Sequence, residues 1–258
     1  MTILNISLPQ LQIFFLIFLR VSAIMMTAPF FDSRNIPLLF KVGLCFSISI
    51  LLFPLLNLND TPFMSGIIPF SIEVIGEIIL GVIIGLSVRL LFCGIQLAGQ
   101  LIGFQMGFAI ANVMDTLTSA QMSIIAQFNN LIAMLIFLAI NGHHWFLRAL
   151  VESFKVVPPF DFQFGNPLIK ELMRLTSNMF IISIKVGAPV MVALLLTSIA
   201  LGLIARTVPQ MNIFIVAFPL KIVIGLGFFG LCLPFLSSFL RGIFNGLGRD
   251  LIILMKFM

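Results

Sequence analysis

Charged side chains are scarce in this sequence: only 9% of its 258 residues are Asp, Glu, Lys or Arg, whereas 60% are hydrophobic. A soluble domain carries roughly 25% charged residues, so this chain cannot cover a globular surface that faces water. Several apolar runs reach the roughly 20 residues that a helix needs to cross a bilayer, and the short alternating segments of a transmembrane β-barrel are missing. The sequence therefore predicts an all-α integral membrane protein, because a helix satisfies its own backbone hydrogen bonds in lipid.

Residues that bind metals or form disulfides are also few. The three cysteines, Cys45, Cys93 and Cys232, each lie inside an apolar run, which is typical of small buried hydrophobic residues. The two histidines, His143 and His144, are adjacent and would point about 100° apart on a helix, so they cannot hold one ion without further ligands. No cofactor is predicted.

Signatures of catalysis and of nucleic-acid binding are missing as well. The sequence has no Gly-x-Ser-x-Gly nucleophile elbow and no phosphate-binding loop that ends in Lys-Ser or Lys-Thr. Its net charge of +5 is spread along the chain without a run of Lys or Arg, whereas nucleic-acid binding needs a clustered basic face. The sequence therefore predicts neither an enzyme nor a nucleic-acid-binding protein.

What the sequence does contain is a series of apolar runs. They cover residues 11–31, 36–56, 67–93, 123–140, 179–204 and 213–240. Between the fourth and fifth runs, Pro158 and Pro159 should end any helix, and Asn166 followed by Pro167 predicts the start of a short amphipathic helix. Pro189 predicts a kink in the fifth run, and an amphipathic tail follows the sixth. With no internal repeat, one domain is expected to cover residues 1–258.

Glycines recur every four residues in the stretch from Gln96 to Gln121. Gly99, Gly103 and Gly107 would form one stripe along a helix, and such a stripe lets another backbone approach closely in lipid. After Asn112 the composition becomes polar, as in turns. Because the apolar part is short for a full crossing, we expect a kinked or re-entrant segment that runs into a polar loop.

Charges inside the apolar runs are costly in lipid and are usually functional or paired. Glu73 and Glu77 lie four residues apart and would share a helix face. They could form a proton or cation site, but pairing with Arg or Lys of a neighbouring helix or subunit is favoured. Four basic residues also lie within the runs and would either line a pore or extend to the membrane interface: Arg20, Lys41, Lys185 and Lys221.

Five motifs occur along the chain: Gln105-Met106-Gly107-Phe108-Ala109; Phe137-Leu-Ala-Ile-Asn141-Gly142-His143; Ser153-Phe154 followed by Pro158; Arg206-Thr-Val-Pro209-Gln210-Met-Asn212-Ile-Phe214; and Phe218-Pro219-Leu-Lys221. In the same order and over nearly the full length, they resemble the FliR family of the flagellar export apparatus. That family is related to the export-gate T subunit of virulence type III secretion systems. One departure is Thr116, where the family often has Pro after the residue that corresponds to Asp115.

The resemblance implies a non-enzymatic subunit of the flagellar protein export gate in the bacterial inner membrane, at the flagellar basal body. It implies a FliP-like part followed by a FliQ-like hairpin. It also implies assembly with FliP-like and FliQ-like subunits into a pore, docking of an FlhB-like protein, and contact with unfolded export substrates and proximal rod components.

In the FliR family a central loop plugs the pore, and this loop would correspond to about Met106 to Gln121. The implied gasket residues are Gln105, Met106, Gly107, Phe108, Asn112 and Asp115, since Met and Phe can close around a passing chain. The implied contacts between helices or subunits involve Gly99, Gly103, Gly107, Glu73, Glu77 and Lys221. The alternative is a secondary transporter or ion channel that uses Glu73 and Glu77, although the chain has no inverted repeat.

Overall fold

A computed structural model describes residues 8–31, 36–56, 66–108, 123–207, 210 and 212–258. Seven helices and no strand lie within these ranges, which confirms the predicted all-α class. The helices are α1 (Leu8–Thr27), α2 (Leu38–Leu52), α3 (Ile67–Met106), α4 (Ile124–Ala139), α5 (Gly142–Val156), α6 (Asn166–Thr207) and α7 (Ile213–Met255).

Three of these helices are far longer than a bilayer is thick. The helices α3, α6 and α7 have 40, 42 and 43 residues, or roughly 60 to 65 Å at 1.5 Å per residue, against a hydrocarbon core of about 30 Å. Among the described residues, four helices (these three and α1) are long and apolar enough to cross a membrane, and α4 with α5 makes a fifth if that broken pair is one span. The chain is a membrane protein.

The glycine stripe does not form a separate segment, so the prediction of a separate re-entrant segment is wrong. It is instead the last part of α3, which runs without interruption from Ile67 to Met106. The physical reason is that no proline occurs between Pro69 and Pro158, and packing can offset the roughly 1 kcal/mol that a helical glycine costs. The helix break lies elsewhere, between α4 and α5, where Asn141 has a left-handed φ of 58°.

The second half of the chain is also less divided than the sequence suggests. The helix α6 begins at Asn166 as predicted, but the expected short amphipathic helix and the fifth apolar run form one helix that ends at Thr207. The sixth run and the tail are likewise one helix, α7. Prolines lie inside both helices, as membrane helices tolerate: Pro189 in α6, and Pro219 and Pro234 in α7. The predicted break at Pro158 is confirmed, because α5 ends at Val156.

The described residues divide into two compact units. The first comprises the described residues within Met1–Leu90, Asn141–Leu175 and Asn245–Met258. In it α1 packs on α2 through aromatic rings, since Phe14 meets Phe46 and Phe53 edge-on at 5.6 and 6.0 Å between ring centres. Small residues let α3 approach α1 closely: a Cβ on Gly81 would lie 2.6 Å from the Cβ of Ala23.

The second unit comprises the described residues within Leu91–Ile140 and Thr176–Phe244. One part of its interior is a cluster of three rings, Phe92, Phe137 and Phe244, whose centres lie 5.3 to 5.8 Å apart. Another part is an apolar cluster that includes the last turn of α3. Its buried members are Ile102, Met106, Ile125, Val190, Leu194 and Phe229.

Candidate functional site

A buried ion pair joins α1 and α3 in the first unit. The side chain of Arg20 is 0% exposed and that of Glu77 is 2% exposed. The Nε and Nη2 atoms of Arg20 donate hydrogen bonds to Oε2 and Oε1 of Glu77, and the Nη2–Oε1 distance is 2.7 Å. This two-bond geometry is the strongest that arginine makes with a carboxylate.

The remaining donor of Arg20 reaches a third helix. Its Nη1 atom donates to the carbonyl oxygens of Ser153 at 3.0 Å and of Val157 at 2.8 Å, where α5 ends. The guanidinium carbon also lies 4.3 Å from the centre of the Phe154 ring. The carbonyl of Val157 lies beyond the last turn of α5 and has no donor within that helix, whereas the carbonyl of Ser153 also accepts from the Val157 nitrogen. Carbonyls at a helix C-terminus carry partial negative charge, so a cation is well placed there. Arg20 therefore binds α1, α3 and α5 together.

These contacts decide between the alternatives for Glu77 and Arg20. The favoured interpretation of Glu77, pairing with a basic residue, is confirmed, and the partner belongs to the same chain. Both interpretations of Arg20, lining a pore and reaching the interface, are wrong because the side chain is completely buried. Glu73 lies one turn before Glu77, is half-buried, and forms no ion pair in the part of the chain that the structure describes.

Two glycines of the stripe lie against the beginning of α4 in the second unit. A Cβ on Gly99 would lie 2.5 Å from the Cα and 2.9 Å from the backbone nitrogen of Ala126, and a Cβ on Gly103 would overlap the side chain of Ser123. Since backbone atoms cannot move aside as side chains can, only glycine allows α3 and α4 to approach this closely at position 99.

The last turn of α3 packs into the apolar cluster of the second unit. Met106 is 0% exposed, and its side chain lies directly against Gly225 of α7. Gly107 then ends the helix with a φ of +94°, and a Cβ there would lie 2.6 Å from the Phe218 ring. Phe108 is half-buried against the same cluster.

Of the other residues of the expected gasket, the structure describes Gln105. Gln105 is half-buried, and its Oε1 atom has no hydrogen-bond partner among the described residues. Asn112 and Asp115 lie outside the described residues. Lys221, which was predicted to contact a neighbouring subunit, is half-buried on α7.

The motif residues have varied positions. Asn141 is exposed, Gly142 is buried at the start of α5, and the ring centres of His143 and His144 lie 4.3 Å apart. Arg206 at the end of α6, Gln210 and Asn212 in the connection, and Pro219 in α7 are exposed. Pro209 and the side chain of Phe214 lie outside the described residues. Within the described ranges, no group of three or more His, Cys, Asp or Glu residues could hold a metal ion.

Comparison with known proteins gives one consistent result. Residues 11–247 match the model of bacterial export proteins, family 1. The flagellar biosynthetic protein FliR of Pectobacterium carotovorum subsp. carotovorum is 37% identical over 236 residues, which cover 90% of this chain and 88% of that protein. FliR of Bacillus subtilis (strain 168) is 34% identical over 90% of both chains. FliR of Escherichia coli (strain K12) is 30% identical over 92% of this chain and 90% of its own.

The predicted resemblance is thereby confirmed, and it extends over almost the whole chain. The chain belongs to the bacterial export proteins, family 1, and is a relative of the flagellar biosynthetic protein FliR.

Proposed function

We propose that this chain is a non-enzymatic subunit of the flagellar protein export gate in the bacterial inner membrane, where it helps to form and close the pore for unfolded flagellar substrates. The observation that carries this proposal is the match to the export-protein family over residues 11–247. The whole chain, 1–258, would work as one domain, because α3, α6 and α7 each contribute residues to both compact units. We assign the FliQ-like hairpin to α6 and α7.

Exposed apolar surface supports a role inside a larger complex. Only 22% of the most apolar window of α6 and 11% of that of α7 are buried within this chain. Exposed apolar side chains occur along α7 from Ile215 to Ile253, a length of roughly 57 Å at 1.5 Å per residue. The hydrocarbon core is only about 30 Å thick, so lipid cannot cover all of this surface on a helix that crosses the bilayer. We propose that FliP-like and FliQ-like subunits cover the apolar surface that lipid does not. We further propose that an FlhB-like protein docks on this assembly and that proximal rod components also contact it.

The sealing role belongs to the turn that ends α3. Met106 is held in the core of the second unit, and Gly107 has a positive φ at the start of the segment, about Met106 to Gln121, that is predicted to plug the pore. We propose that Met106 anchors this segment and that Phe108, which is only half-buried, takes part in the seal. Conduction would then be passive, with energy supplied by other subunits.

The ion pair argues against the alternative of a transporter or ion channel that uses Glu73 and Glu77. Both carboxylate oxygens of Glu77 accept hydrogen bonds from Arg20, and an acid held in this way is not free to bind and release a transported ion. The half-buried Glu73 would have to act without it.

Assembly is tested by native mass spectrometry of the tagged chain, purified in mild detergent from cells that also produce the FliP-like and FliQ-like proteins. We expect this chain in a large complex with both. Recovery as a monomer or a simple homodimer, with those proteins present and folded, would contradict the proposal.

Sealing is tested by changing Phe108 to Ala and measuring ion leak across the membrane together with export of a flagellar substrate. We expect higher leak, with assembly retained. Phe104→Ala is the matched control, because Phe104 lies one turn earlier on α3 and is 71% exposed. Met106→Leu should leave the leak unchanged, since it nearly conserves the volume of the core. An unchanged leak in Phe108→Ala would contradict the seal.

A further inference from the structure

The first unit contains a cavity of about 440 Å³ between α5 and the C-terminal part of α7. It involves none of the residues of the buried ion pair or of the expected gasket. Its lining residues are Trp145, Arg148, Ala149 and Glu152 of α5, Asn245, Gly248, Arg249, Ile252 and Ile253 of α7, and Lys256 just beyond it.

The cavity carries an excess of positive charge. Arg148, Arg249 and Lys256 face a single carboxylate, that of Glu152. In the described part of the chain none of the three cations forms an ion pair, and all three are exposed. The guanidinium carbon of Arg148 lies 5.7 Å from the centre of the Trp145 ring. An occupant with negative charge would therefore find donors that the chain itself does not use.

Apolar surface adjoins these cations. Trp145 is 47% exposed, and Ile252 and Ile253 are 38% and 36% exposed. Tryptophan and arginine are among the residues that most often dominate the binding energy of protein interfaces, where they fill pockets that lose their water on binding. The cavity therefore suits an occupant that combines an acidic group with an apolar one.

Distance along α7 distinguishes a lipid headgroup from a protein. The stretch of α7 without charge, Ile222 to Leu240, is roughly 28 Å long at 1.5 Å per residue, which matches the hydrocarbon core. Beyond Leu240 the headgroup layer is only about 5 to 8 Å thick. By the same rise, Arg249 lies roughly 13 Å farther along the helix, and Lys256, the first residue after α7, lies roughly 24 Å farther. Even if α7 is strongly tilted, much of the cavity lies beyond the headgroup layer. A protein segment is therefore a better occupant than a lipid headgroup.

We propose that this cavity binds an acidic segment of a partner protein in the export gate, with Arg148, Arg249 and Lys256 pairing with its carboxylates and Trp145 and Ile252 packing against its apolar side chains. The inference rests on the proposed function and adds to it the chemistry of one contact.

The experiment places the photo-crosslinker p-benzoylphenylalanine at position 252 of the full chain, in cells that produce the complete export apparatus. After illumination and purification, mass spectrometry identifies the attached peptide. We expect a segment of one partner subunit with Asp or Glu within a few residues of the attachment point. The pair Arg249→Glu and Lys256→Glu should reduce this product about tenfold or more, as loss of interfacial charge pairs does.

Arg241→Glu is the matched control, because Arg241 is an exposed cation on the same helix that does not line the cavity; it should leave the crosslink nearly unchanged. Reversing the acidic residue of the partner to Lys should restore crosslinking to Arg249→Glu. A crosslink to phospholipid, a peptide without acidic residues, or no adduct in an intact complex would overturn the inference but not the proposed function. Failure of the chain to purify with any partner would overturn both.

Discussion

Removing the charge of Glu77 should be the most damaging single change in the first unit. In Glu77→Gln the guanidinium of Arg20 remains charged at a site that is 0% exposed, with only the two carbonyls of α5 and one amide oxygen to compensate it. Removing one partner of a buried ion pair typically costs about 3 to 5 kcal/mol. The equilibrium constant for unfolding should therefore rise on the order of 10²-fold or more.

The double variant Arg20→Met/Glu77→Gln should cost less than the sum of its single changes. Without Arg20 the carbonyl of Ser153 keeps the hydrogen bond from the Val157 nitrogen at 3.0 Å, so its desolvation cost is small. The carbonyl of Val157 loses the donor at 2.8 Å, which costs about 1 to 3 kcal/mol for a buried acceptor. We expect a coupling free energy between the two sites of about 2 to 3 kcal/mol.

The chain provides its own probe for this measurement. Trp145 is its single tryptophan and lies on α5, the helix whose last carbonyls bind Arg20. Its fluorescence can follow unfolding of the first unit in mixed micelles with increasing SDS. Glu73→Gln is the matched control on the same helix and should change the free energy of unfolding by less than about 0.5 kcal/mol. If the costs of the two single changes simply add, to within about 0.5 kcal/mol, the account of the ion pair is refuted.

Three glycine or asparagine positions allow further tests by thermal unfolding of the detergent-solubilised chain. Gly99→Ala should destabilise by about 1 to 3 kcal/mol or more, since its Cβ would lie 2.5 Å from the Cα of Ala126. Gly202→Ala, with nothing within 4 Å, should instead stabilise by about 0.5 to 1 kcal/mol. Equal effects would contradict the close approach of α3 and α4. Asn141→Ala should lower the free energy of unfolding by about 1 to 2 kcal/mol, because φ is 58° at this position, whereas Asn141→Gly should be nearly neutral. If Asn141→Ala is equally stable, the left-handed conformation between α4 and α5 is contradicted. Gly107→Ala should lower the melting temperature more than Gly225→Ala. At Gly107 the φ of +94° adds backbone strain, whereas at Gly225 the added Cβ meets the side chain of Met106, which is flexible and can move aside. A larger effect of Gly225→Ala would contradict this reason.

The membrane class and most helix positions follow from the sequence because composition and apolar length are local properties. Helix continuity is less local. The glycines near the end of α3 suggest a weak or interrupted helix, yet Gly94 lies against the carbonyl of Met179, with 2.7 Å left for a Cβ, and Gly99 lies against Ala126. Packing partners that are distant in sequence thus stabilise a helix whose own residues favour it little. In the same way the expected boundary between the sixth apolar run and the tail disappears within α7.

The partner of Glu77 illustrates a second limit. Arg20 precedes it by 57 residues, and Ser153 and Val157 follow much later in the chain, so no spacing rule connects them. A useful signal was nevertheless present. Arg20 is the single charged residue in the run 11–31, and an isolated cation in an apolar run needs a counter-charge. The acidic candidates in the third run were Glu73 and Glu77, but only the three-dimensional structure distinguishes them.

The alignment of α3 along α1 explains why Glu77 rather than Glu73 is the partner. Apolar packing in lipid discriminates poorly between alignments that differ by one helical turn of 5.4 Å, and such a shift would bring Glu73 into the position of Glu77. The same shift would place Glu77 at the position of Gly81, where a Cβ would lie 2.6 Å from the Ala23 Cβ and 3.0 Å from the carbonyl oxygen of Arg20. A glutamate cannot fit there. The acid and the glycine four residues later therefore fix one alignment together, and for this reason Glu73 should not rescue the Glu77→Gln variant.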